Sequence, residues 1–166
     1  MGKVLKNFTN GWEGAIARAA DDIVISLPNK SNAAIDFGKP LALNSDRDGV
    51  IPFDGSTSGA HHLAADFLGV SVRNPSKTPD TYGSDTGSYA PYELVDVLVR
   101  GHIVVKCQNS NAKQGQAVSI LISGNNAGKF TVATGDTVVA LNNVHISGTP
   151  DANGLAEILI NSRNVL

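Results

Sequence analysis

Apolar residues in this chain come in short runs closed off by Gly, Pro, Asn and Ser, and no stretch of helix length repeats them every 3.6 residues. The clearest runs are Ile23-Val24-Ile25-Ser26-Leu27, Phe67-Leu68-Gly69-Val70-Ser71-Val72 and Leu94-Val95-Asp96-Val97-Leu98-Val99. Four more follow: Ile103 to Cys107, Ala117 to Ile122, Thr137 to Leu141, and Leu155 to Ile160. Rich in β-branched residues and bounded by turn formers, these runs predict strands. Their spacing predicts an all-β domain, a compact β-sandwich or β-barrel of short antiparallel strands. Gly101, between two of the runs, predicts a bulge or tight bend. Asp48-Gly49 and Asn153-Gly154 predict hairpin turns, the second leading into the last strand.

Two segments break the pattern. Near the start, Phe8, Trp12 and Ile16 are spaced four apart beside Gly11 and Gly14. A short helix and an extended arm over a neighbouring subunit both fit, and the paired glycines favour the arm. Residues 74–92 hold three prolines, two glycines and Tyr82, Tyr89 and Tyr92, with no periodicity. Such a long loop is either a contact surface or is folded onto its own domain, and the tyrosines, stiff and amphipathic, favour contact. The resulting division is an extended N-terminal arm at 1–21 and a single β-rich domain at 22–166 with a long central loop at 74–92.

At 166 residues the chain suits one core. With 13 Lys and Arg against 15 Asp and Glu, the net charge is −2 and the cations are scattered, so nucleic acid is not an expected partner. Cys107 is the sole cysteine; it excludes an intrachain disulfide and reads as a buried, inert thiol. Neither a conventional leader nor a long apolar run is visible, so the expectation is a protein made in a reducing cytosol, without a membrane span.

Candidate chemical motifs fail on spacing. Gly124 to Lys129 has three residues between its glycines where a phosphate-binding loop needs four, and Phe130 stands where a hydroxyl is required, so a hairpin turn is expected. Asp46-Arg47-Asp48-Gly49 opens like a calcium loop but puts Val50 and Thr57 where ligands belong. The adjacent His61 and His62 would point to opposite faces of a strand, and His102 and His145 stand alone. Gly55 to Gly59 has Thr57 where a nucleophile elbow has Ser. The expectation is a protein that is not an enzyme, with no catalytic residue, cofactor or metal.

Taken in order, several segments resemble the phage structural cement family of head decoration proteins: Gly14 to Ala19, Ile35 to Leu41, Phe67 to Arg73, Lys77 to Gly83, Val95 to Val105 and Asp151 to Ile158. The resemblance covers nearly the whole chain. It implies a β-rich virion protein, made in the host cytoplasm and added to the outer surface of the head. There it would stabilise contacts between subunits of the major capsid protein, as a homo-oligomer, often a trimer. With the two irregular segments, it puts the candidate interface on Phe8, Trp12, Ile16, Arg18, Tyr82, Tyr89 and Tyr92. A receptor- or glycan-binding protein on a head or tail fibre is the alternative, suggested by the polar loops and the tyrosines.

Overall fold

Val95, Val97 and Val99 alternate with Asp96 and Leu98, and a strand sends such a set to opposite faces. In the computed structural model, which describes residues 10–55, 63–77 and 87–162, Leu98 and the three valines are all fully buried. Both faces are covered because two apolar clusters flank this part of the sheet. Leu98 joins Ala42, Ile51, Phe53, Phe67, Val70 and the far half of the sheet. The valines join Ile35, Phe37, Leu41, Val50, Leu68 and Tyr89.

The strands in chain order are β1 (Ile16–Pro28), β2 (Ile35–Asp36), β3 (Pro40–Leu43), β4 (Val50–Pro52), β5 (Phe67–Ser71) and β6 (Ser88–Tyr89). They continue with β7 (Leu94–Lys106), β8 (Ala117–Leu121), β9 (Phe130–Thr131), β10 (Val138–Gly148) and β11 (Leu155–Ile160). Single 3-10 turns occupy Ala64–Asp66, Pro75–Lys77 and Gly124–Asn126. Nine strands form one curled antiparallel sheet, a half-barrel, in the order β4-β3-β5-β7-β11-β10-β8-β9 with β1 along β7; β2 and β6 pair separately. The all-β expectation is met, and every predicted run matches a strand to within one residue at the ends it shares.

Leu94 to Val99 and Ile103 to Cys107, read as two strands, are one: β7 runs through Gly101, whose φ is +120°. One edge of β7 pairs first with β5 (Val70 opposite Leu98) and then with β11 (Ile160 opposite Gly101). β1 follows the other edge and bulges where this change occurs. Arg18 faces His102 and Ile23 faces Arg100, so residues 19–22 stand opposite Gly101 alone.

The domain boundary expected after residue 21 falls inside β1, and the part of the arm that is described lies on its own domain. Asn10 donates its backbone N–H to Asp151 Oδ2 at 2.9 Å and its side-chain amide to the carbonyls of Thr149 and Leu155. Gly14 donates to the Val104 carbonyl at 2.8 Å, and its own carbonyl accepts from Arg73 N–H at 2.7 Å. Phe8 lies outside the described residues. The segment 74–92 is likewise partly ordered structure, since its end forms β6, paired with β2 through Ile35 opposite Tyr89.

The smaller strands escaped the sequence reading for a physical reason. β2, β6 and β9 are two residues long, and β3 starts and β4 ends on proline, positions where a missing N–H costs a ladder nothing. Asp48-Gly49 does close the β3–β4 hairpin, and Asn153-Gly154 the β10–β11 hairpin. The Gly124 to Lys129 segment joins β8 to its partner β9, as expected of a turn.

Candidate interaction surface

Tyr89 divides the candidate residues. Its ring meets Phe37 edge-on with centroids 5.6 Å apart, its hydroxyl donates to the Val72 carbonyl at 2.8 Å, and it is fully buried. A side chain so enclosed offers nothing to a partner. It serves the core of its own subunit, with Lys77 Nζ 5.5 Å from the ring and ion-paired to Glu93. The ammonium of Lys77 and the Ala90 N–H hold the Glu93 carboxyl below its ordinary range.

Burial, with the Asp96 carboxylate adding to it, pushes the Tyr89 phenol up to about 12. In the unfolded chain this group ionises near pH 10. Above that pH the unfolded state gives up a proton that the folded state keeps, so stability falls as the pH rises. The loss is complete above the folded value and amounts to about 2–3 kcal/mol. Urea midpoints at pH 9 and pH 11.5 should differ more in the wild type than in Tyr89→Phe, and equal differences would show that Tyr89 does not drive the alkaline transition.

The other described candidates reach solvent. Trp12 is 49% exposed and lies against Arg73, whose guanidinium carbon is 5.3 Å from the ring centroid and also covers Phe37. Gly14, below it, is a position where a Cβ would come within 2.9 Å of the Gly38 nitrogen and Phe37 Cβ. The left-handed φ of +79° there adds to the demand for glycine. Ile16 opens β1 on the surface, and Arg18 binds Glu157 at 2.8 Å with its outer part in water. Trp12, Ile16 and Arg18 thus lie on one stretch of chain, Tyr92 lies elsewhere, and Tyr82 falls outside the described residues.

Tyr92 is 74% exposed and sits at the turn before β7, its N–H bonded to the Asn29 carbonyl at 2.9 Å. Its φ is +66°. This left-handed conformation costs a residue with a Cβ about 1–2 kcal/mol, and Asn or Gly would hold it more cheaply. Leu94, two residues on, is 62% exposed and lies opposite Pro28 of β1. Val24 is exposed on the same face of β1, since it and Pro28 are an even number of residues apart. Sequence reasoning placed Val24 and Leu94 in strands but missed their exposure. Parity alone does not give it away, because Leu94 shares its face of β7 with both the polar Asp96 and the fully buried Leu98.

Polar pairs frame this surface. Lys30 binds Asp48 at 2.8 Å, a contact that raises the lysine and lowers the carboxyl. Burial alone would raise Asp151, but the N–H groups of Asn10, Leu155 and Asn153 outweigh it and hold the carboxylate low, locking residue 10 to the last hairpin. Cys107 is buried, as expected, and burial pushes its thiol up. Among the described residues no three His, Cys, Asp or Glu side chains are grouped to hold a metal, and no helix is long and apolar enough to cross a membrane.

These features describe a rigid β scaffold with apolar contact groups at its surface. No curated protein matches the sequence significantly. A chain in the solved capsid of Myoviridae phage XM1 shares the fold, with a TM-score of 0.72 over 96% of this chain and 95% of that one, at 17% identity. The family described as structural cement protein (E217 gp24/Pam3 gp6) matches residues 2–161. With nearly its whole length matched, the chain belongs to the phage structural cement protein family, and its role is that of a capsid-associated structural protein.

Proposed function

We propose that the protein sits on the outer surface of the phage head, as a homo-oligomer, and stabilises contacts between neighbouring major capsid protein subunits through binding alone. The three-fold arrangement that the resemblance favours would present the same contact residues from each copy. Tyr92 is the observation that carries this reading. A large aromatic side chain is kept in a left-handed turn, three-quarters in water, beside the exposed Leu94, at a position where a smaller residue would fold at lower cost. Backbone strain that folding does not need points to a contact made after folding. Trp12, Ile16 and Arg18 supply a second contact area on this reading. Membership of a family of structural proteins supports binding, and not turnover, as the work done.

Two measurements test it. Particles assembled without this protein should rupture at a lower temperature than complete ones, and adding purified protein back should restore their resistance. Tyr92→Asn should melt no lower than the wild type, because Asn tolerates the left-handed conformation, yet bind bare particles at least tenfold more weakly. Unchanged binding by Tyr92→Asn would move the contact away from this turn. Equal heat resistance of particles with and without the protein would remove the cement role itself.

A further inference from the structure

We propose that two copies of the protein pair through the outer edge of β1, strand against identical strand about a two-fold axis, joining their sheets into one. The backbone hydrogen bonds of β7 set the phase. Asp96 O accepts from Val72 N at 2.7 Å, so residues 96 and 98 of β7 turn their polar groups toward β5, and residues 95 and 97 turn theirs toward β1. Leu27 and Ile25 face Val95 and Val97 and use up their backbone groups there. Val24 and Ser26 therefore direct N–H and C=O outward, and neither backbone has a partner among the described residues.

The two end strands of the sheet each bridge to another segment of the chain. At β4 the Val50 carbonyl accepts from Lys30 N at 2.9 Å, and at β9 the Phe130 carbonyl accepts from Gln108 N at 2.9 Å. Among the described residues β1 has no such cover, and from Ile23 to Leu27 it lacks the charges that usually guard an exposed edge. Val24 and Ile23 are instead 41% and 37% exposed.

Two properties select a second copy as the occupant. Pro28 has no N–H and the bulge begins at residue 22, so Val24 and Ser26 are the two outward positions that offer both groups. An antiparallel copy centred on Ile25 puts Val24 opposite Ser26 of its partner and Ser26 opposite Val24, satisfying all eight groups. Such a contact is the same patch on both subunits and closes on itself.

Sedimentation of the purified chain should give twice the mass of Val24→Lys, which places a charge on each copy at the contact. The two proteins should have the same circular dichroism, and only the wild type should melt higher at higher concentration. Ile25→Cys should form an intermolecular disulfide under mild oxidation, since facing residues at the axis lie about 4.5 Å apart, whereas Val24→Cys copies lie beyond about 7 Å and should not. Equal masses for the wild type and Val24→Lys would overturn the proposal. Equal cross-linking at positions 24 and 25 would overturn the register and, with it, the pairing. Neither readout involves capsids, so a failure here is distinct from failure of the attachment proposed above.

Discussion

Tyr89→Ala is expected to lower folding stability by about 3–5 kcal/mol, in the range for truncating a large buried aromatic side chain. For a domain of this size that is a fall in Tm on the order of 10 °C. The ring belongs to the cluster of Ile35, Phe37, Leu41, Val50, Leu68 and the three β7 valines, and β6 contributes two residues to a two-stranded ladder. So short a ladder cannot hold itself, which leaves the ring, its edge contact with Phe37 and the 2.8 Å bond to the Val72 carbonyl to fix the segment. Removing the ring should also release β2 and β6, read as faster hydrogen exchange at Ile35 and Tyr89's former position than in the rest of the sheet. Tyr89→Phe keeps the packing and leaves the Val72 carbonyl without its donor, a loss of about 1–3 kcal/mol. A loss under about 1 kcal/mol for the alanine variant would show that the cluster closes over the gap, contrary to close packing around the ring.

Tyr89 also marks where the sequence stops being readable. Its surroundings in the chain are prolines, glycines and hydroxyl residues, which look like a solvated loop, and its burial depends on Phe37 and Ile35 more than fifty positions away. Trp12, Ile16 and Tyr92 do reach solvent, but the loop-like sequence around Tyr92 also surrounds the buried Tyr89, so local pattern did not separate the two. The strands themselves were legible wherever local residue type and alternation agreed, as in β7, β8 and β11. β2, β6 and β9 exist because longer neighbours present partners to them, a relation no local pattern encodes. The anchoring of residues 10–14 was hidden for a similar reason. The two glycines there suggested freedom, but Gly14 is required by a close approach to Phe37, Gly38 and Arg73, and it fastens the segment to the domain.

Gly101 shows the opposite case, a glycine whose structural need was visible beforehand, and Gly101→Ala is expected to cost about 3 kcal/mol or more through two separable effects. The first is conformational: a φ of +120° is open to glycine and strained for alanine by about 1–3 kcal/mol. The second is steric. A Cβ here would lie 1.9 Å from Asp22 Oδ1, so the carboxylate that receives the His102 N–H at 3.3 Å must leave, and the bulge of residues 19–22 must lift with it. Asp22→Ala alone should be mild, since it gives up one long hydrogen bond and also removes Oδ2, which is buried without a partner among the described residues. In that background Gly101→Ala should cost only the backbone strain, about 1–2 kcal/mol less than in the wild type, a coupling that urea unfolding of the four proteins in the cycle can measure. Equal costs in both backgrounds would assign the whole effect to the backbone. Coupling of the expected sign would show that β1 bends over Gly101 because this position has no side chain, which lets one uninterrupted β7 leave β5 and join β11 while β1 follows its other edge.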